Sequence, residues 1–117
     1  RPDIFWGFVM LLNEYQQFAR STALYPRVHG LVYCTLGLTG ESGEVADKLK
    51  KVIRDHGGVL SVETKEEIAK ELGDVLWYLA NLSSEVGYDL ENLALLNMNK
   101  LRSRQERGVI QGEGDNR

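Results

Sequence analysis

The placement of chain breakers constrains this sequence more than any other feature. Its two prolines, Pro2 and Pro26, both stand outside the long periodic stretches, so no missing amide interrupts a helix beyond residue 27. Glycines then divide the remainder at Gly57-Gly58, Gly87 and Gly108, positions suited to closing helices. Apolar residues between these stops recur at helical spacing, and no stretch has the alternation of a strand. The expected fold class is all-α, a bundle of four to five helices.

The first helix is expected over about Ile4 to Ser21, with Phe8, Met10, Tyr15 and Phe18 in the core. A second runs from Val28 or Gly30 to Arg54; Gly37, Gly40 and Gly43 in its middle predict a kink, a close helix contact or a break. Thr64-Lys65-Glu66-Glu67 fits a capping box, with Ser61 as a competing cap, and opens a third helix reaching Val86. Asp89 caps a fourth from Leu90 to Arg107, and residues 108–117, with glycines at 108, 112 and 114, form an irregular tail.

At 117 residues the chain is one domain, residues 1–117, and its 43% hydrophobic content supplies a core without staples. The single cysteine, Cys34, excludes an internal disulfide and a Cys-based zinc knuckle, and suits a reducing cytoplasm. A net charge of −3 with interspersed signs excludes a general nucleic-acid binder, which needs a basic stripe. The Ile4 to Leu12 run is too short to span a membrane and lacks the flanks of a signal peptide. A soluble, cytoplasmic protein is expected.

On the second helix Leu38, Val45, Ala46, Leu49, Val52 and Ile53 form an apolar stripe, with Glu41, Glu44 and Lys48 along one flank. On the third, Ile68, Leu72, Val75, Leu76, Leu79 and Val86 form the stripe, flanked by Glu71, Asp74 and Tyr78. Packing stripe on stripe brings the flanks together, and four carboxylates in one place demand protonation or a cation. An all-oxygen cage suits Mg²⁺ or Mn²⁺ better than zinc or copper. The same residues also fit a solvated face, through ordinary pairs such as Glu44–Lys48, Asp47–Lys51 and Glu67–Lys70.

Glu41-Ser-Gly-Glu44, a spacer of 26 residues and Glu71-Leu-Gly-Asp74 resemble the E-x-x-E, E-x-x-D signature of the MazG-like all-α nucleoside triphosphate pyrophosphohydrolases. Gly40-Glu-Ser-Gly-Glu-Val-Ala-Asp and Lys70-Glu-Leu-Gly-Asp-Val-Leu-Trp-Tyr-Leu look like that family's two core helices, and the resemblance runs from about His29 to Arg104. It implies cleavage of a nucleoside triphosphate between the α and β phosphates, with Mg²⁺ held by Glu41, Glu44, Glu71 and Asp74. It further implies that Glu41 or Glu44 helps deprotonate the attacking water. A homodimer or homotetramer with sites near subunit contacts is the implied assembly.

Asn97, Lys100 and Arg104 share one face of the fourth helix and are the expected phosphate contacts, and Lys48 is either a fourth group at the phosphates or the surface partner of Glu44. For the base, Trp77 lies opposite the stripe beside Ala69, Gly73 and Ala80, so it serves either a subunit contact or base stacking. Tyr78 either seals the core or touches substrate, and His29 stands either near the nucleotide or in an exposed turn. The tail, with Asp115, Asn116 and Arg117, either folds over a triphosphate or is a disordered terminus.

Three rival functions follow from the same residues. A ferritin-like dimetal bundle needs Glu-x-x-His pairs, and neither His29 nor His56 supplies one. A helical interaction module would carry the acids as soluble surface. A phosphoribosyl-ATP pyrophosphohydrolase would share fold and metal chemistry. The reading favoured is Mg²⁺-dependent hydrolysis of a nucleoside triphosphate, a dNTP by preference, for house-cleaning of unwanted nucleotides.

Overall fold

The computed structural model describes residues 9–117 and is all-helical over them. Four helices follow in chain order: α1 (Leu12–Ser21), α2 (Gly30–His56), α3 (Val62–Glu85) and α4 (Leu90–Glu106), with a 3₁₀ turn at Arg27–His29 leading into α2. The expected start of α1 at Ile4, and Phe8 with it, lie outside the described residues. Within them α1 opens later, where the Leu11 amide donates to Glu14 Oε1 at 2.8 Å.

The stops act where glycine permits a left-handed backbone. Gly57, Gly87 and Gly108 have φ of 60°, 82° and 71°, each just past a helix. The starts of α3 and α4 are set by side-chain caps. Ser61 Oγ accepts from the Thr64 amide at 3.1 Å, so Ser61 caps α3 and Thr64 lies inside it, and Asp89 Oδ1 accepts from Asn92 at 2.8 Å to open α4.

α2 and α3 form an antiparallel hairpin, and α2 runs unbroken through Gly37, Gly40 and Gly43. Of the three outcomes expected there, the close contact is the one found. A Cβ at Gly37 would overlap the Tyr78 ring, and one at Gly30 would overlap the Glu85 carboxylate. These two approaches fix the register, which brings Glu41 of α2 to Glu71 and Asp74 of α3.

α1 lies along α3. Ala19 and Ala80, both fully buried, form the contact with Leu90, and Tyr15, Trp77 and Leu93 pack around them. A second cluster joins Ala23, Tyr25 and Cys34, with Trp77 and Leu82 against it. Gln16 ties this corner to the start of α4: its Nε2 donates to Ser84 Oγ and to the Tyr88 carbonyl, both at 3.0 Å, and its Oε1 accepts from the Leu90 amide at 2.8 Å. Arg20 reaches Glu85 Oε2 at 2.8 Å, and the Tyr25 hydroxyl donates to the same oxygen at 2.6 Å.

Several expected core residues are not in the core. Phe18 is 64% exposed and Met10 55%, because α1 presents Ala19 and Tyr15, not Phe18, to α3. Ile53, Leu72, Leu76 and Val86 of the two stripes are exposed as well. The reason lies in α4, which meets α1 and α3 but does not touch α2, leaving one face of the hairpin uncovered. Leu95, Leu96, Met98 and Leu101 of α4 are exposed in turn. Among the described residues no helix is long and apolar enough to cross a membrane.

Candidate metal and nucleotide site

The hairpin register gathers the acids. Glu41 of α2 and Glu71 and Asp74 of α3 each turn one carboxylate oxygen to within 4.8 Å of the other two. Octahedral coordination by oxygen at roughly 2.1 Å spaces neighbouring ligands about 3 Å apart and opposite ones about 4 Å apart, so the three carboxylates would draw in around a small hard cation. Glu44, one turn further along α2, is exposed and lies outside the trio. A hydrogen bond with Glu71, then burial, then the charges of Glu71, Asp74 and Glu44 push the Glu41 carboxyl above its ordinary value. The donor set therefore holds more negative charge than it can neutralise by itself.

Beside the acids stands a wall of aromatic rings. Tyr78 packs over Gly37, with its ring 6.3 Å from that of Tyr33 and 5.0 Å from that of Trp77. Tyr33 stacks on Tyr25 at 5.0 Å, and Tyr25 meets Trp77 edge-on at 6.4 Å. Burial raises the Tyr78 hydroxyl, and the neighbouring Tyr33, Glu41 and Asp74 raise it further. Tyr15 of α1 is raised by burial and then by the charge of Asp74, which puts α1 on the acidic side of the hairpin. Tyr33, Gly37 and Glu41 follow at intervals of four on α2, a helical spacing from which Tyr33 was legible as a neighbour of the site. Tyr15 read only as core.

The other expected contacts separate into groups. Lys48 is half-buried on the carboxylate flank and has no ion-pair partner among the described residues, so the expected pair with Glu44 is not formed. Asp47 instead pairs with Lys50 at 3.1 Å and Lys51 at 2.8 Å. Trp77 is half-buried within the chain. Its Nε1 donates to Thr22 Oγ1 at 2.7 Å and its ring packs on both core clusters, because α1 occupies the small-residue face around Ala80. His29 is exposed at the head of α2, about 18 Å along the helix axis from Glu41.

Asn97, Lys100 and Arg104 are not brought to the trio of their own protomer, since α4 makes no contact with α2. Lys100 and Arg104 are engaged elsewhere. Lys100 Nζ lies 2.9 Å from Asp115 Oδ1, Arg104 Nη2 lies 3.4 Å from the same oxygen, and Arg104 also donates to the Asp115 carbonyl. The tail thus folds back on α4 and not over the acids.

Three acids gathered across an antiparallel helical hairpin, with tyrosines beside them, define an all-α protein with a candidate cation site, and comparison with known proteins narrows the class. Residues 33–109 match the MazG nucleotide pyrophosphohydrolase domain, a stretch that includes all four acids and the tyrosine-bearing faces of α2 and α3. The Gene 37 protein of Mycobacterium phage L5 is 46% identical over 114 residues, an alignment covering 92% of this chain and 100% of that protein. No solved structure matches the chain. The chain belongs to the MazG nucleotide pyrophosphohydrolase family, hydrolases that act on nucleotides.

Proposed function

We propose that this protein hydrolyses a nucleoside triphosphate, a dNTP by preference, to the monophosphate and pyrophosphate, using Mg²⁺ or Mn²⁺. The observation that carries this reading is the convergence of Glu41, Glu71 and Asp74 within 4.8 Å at a register fixed by two helix contacts. These three would hold the cation, with Glu44 beside them on the neighbouring turn, outside the set. When bound, the ion supplies positive charge against the phosphate oxygens and the developing charge of the leaving pyrophosphate.

The remaining chemistry falls to side chains. Glu44, outside the trio and exposed, keeps a carboxylate open to take a proton from the attacking water, whereas Glu41 is engaged with Glu71. Lys48 on the same flank is the phosphate contact of this protomer. Tyr33 and Tyr78 offer an aromatic wall to the base, and His29 and Trp77 take no direct part in this reading.

Asn97, Lys100 and Arg104 would serve the trio of a second copy. The uncovered apolar residues of the hairpin and of α4 support a homodimer or homotetramer in which such a contact is made. A cytoplasmic setting, where both the nucleotide and Mg²⁺ are abundant, suits the reaction.

The test is incubation of the protein with Mg²⁺ and a panel of canonical and modified nucleotides, with separation of the products. Monophosphate plus pyrophosphate is expected, and none without divalent cation. Orthophosphate and the diphosphate as sole products would overturn the assigned bond.

A further inference from the structure

The tail segment holds itself on α4 in an unusual way. Among the described residues, no backbone amide of residues 110–117 donates to another backbone group, and the segment has neither helix nor strand. It is fastened by cationic side chains instead. Arg117 donates to the carbonyls of Val109, Ile110 and Gly114, and Arg107 donates to the Arg117 carbonyl at 2.8 Å. Gly112 and Gly114, with φ of 133° and 85°, supply the turns that bring Asp115 back to Lys100 and Arg104.

At that point the two partners are unequal. The Arg104 side chain is 7% exposed, whereas that of Asp115 is 79% exposed. The guanidinium is therefore a fixed part of the protein, and the carboxylate can be exchanged for another anion from solvent without moving α4. Arg104 is also under-supplied: its Nε is buried with no hydrogen-bond partner. A carboxylate shared with Lys100 leaves that donor unmet, whereas a phosphoryl group offers three oxygens to a guanidinium and an ammonium on one helix face.

We propose that Lys100 and Arg104 form an anion site whose resident occupant is Asp115, and that a polyphosphate chain exchanges with this carboxylate and frees the strap of residues 110–117. Asp115 is then an internal competitor that lowers affinity for phosphate until a multiply charged ligand displaces it. This deepens the phosphate role proposed above for the pair, but it is tested without turnover.

Inorganic tripolyphosphate is titrated calorimetrically, in the presence of a chelator, into the full chain and into Asp115→Asn and Asp115→Asn/Lys100→Gln variants. Removing the competing charge is expected to tighten binding about tenfold, and the second substitution to cancel the gain. In the unsubstituted protein, tripolyphosphate is expected to speed proteolytic cleavage within residues 109–116. Equal or weaker binding by Asp115→Asn, binding by neither protein, or a strap protected by the ligand would each overturn the proposal. Tight metal-free binding by a protein that hydrolyses no nucleotide would instead sink the proposed function and leave this site standing.

Discussion

The Tyr78 ring lies directly over Gly37, so α2 and α3 touch there ring against backbone, one helical turn from the Glu41–Asp74 level. That contact leaves no room for a methyl group. Gly37→Ala gains intrinsic helix propensity yet forces the ring away, and overpacking of this kind costs about 1–3 kcal/mol. The variant is expected to lose stability in urea unfolding and to bind Mn²⁺ more weakly. Gly43→Ala, where nothing lies within 4 Å of an added Cβ, is the control, expected to gain about 0.5–1 kcal/mol.

Removing one acid of the trio separates folding from metal binding. Glu71→Gln and Asp74→Asn are expected to abolish Mn²⁺ binding, read by electron paramagnetic resonance, while the thermal midpoint without metal stays the same or rises. The rise is expected because like charges now crowd Glu41. Glu44→Gln is expected to retain most of the metal affinity and to lose turnover. Full turnover in Glu44→Gln would move the proton-accepting role elsewhere.

Gln16 is a buried polar residue bonded to four groups, and truncating it strands one of them. Gln16→Ala leaves the Leu90 amide without a partner at the junction of α1, α3 and α4, while the Tyr88 carbonyl keeps its bond from the Ser83 hydroxyl. The expected loss is about 1–3 kcal/mol in chemical denaturation. A loss well under 1 kcal/mol would mean that water reaches this corner.

Glu85 makes stability depend on acid. Its carboxyl is lowered by the hydrogen bond from Tyr25 and then by Arg20. A carboxyl lowered in the folded state favours folding above its unfolded pKa of about 4.3, and that contribution fades as pH falls through the lower folded value. The stability gap between the unsubstituted protein and Glu85→Gln is therefore expected to be full at pH 7 and to close below pH 4. A gap independent of pH would show that Glu85 acts only through packing.

Much of this arrangement was legible in the sequence, and the reason differs from one part to another. Helix ends read well because Gly57, Gly87 and Gly108 report a local backbone need. The meeting of Glu41 with Glu71 and Asp74 was legible because periodicity places them on facing flanks that a short hairpin joins, whereas Glu44, expected in the same cluster, stays outside it. The packing of Trp77 was not legible because periodicity gives the direction of a side chain but not which helix arrives there; α1 does. Phe18 and Met10 looked like core for the same reason, and the partnership of Asp115 with Arg104 depends on an irregular path that no period encodes.

The contacts at Gly30 and Gly37 also bear on how such a chain tolerates changes in length. A residue added to the 57–61 connection leaves both approaches and the facing acids untouched. One added between Gly37 and Glu41 would swing Glu41 about 100° around its helix and scatter the ligand set. Insertions and deletions among relatives should therefore collect in the hairpin loop and the tail, while the interval from Gly30 to Glu44 and its counterpart from Glu71 to Glu85 keep a constant count.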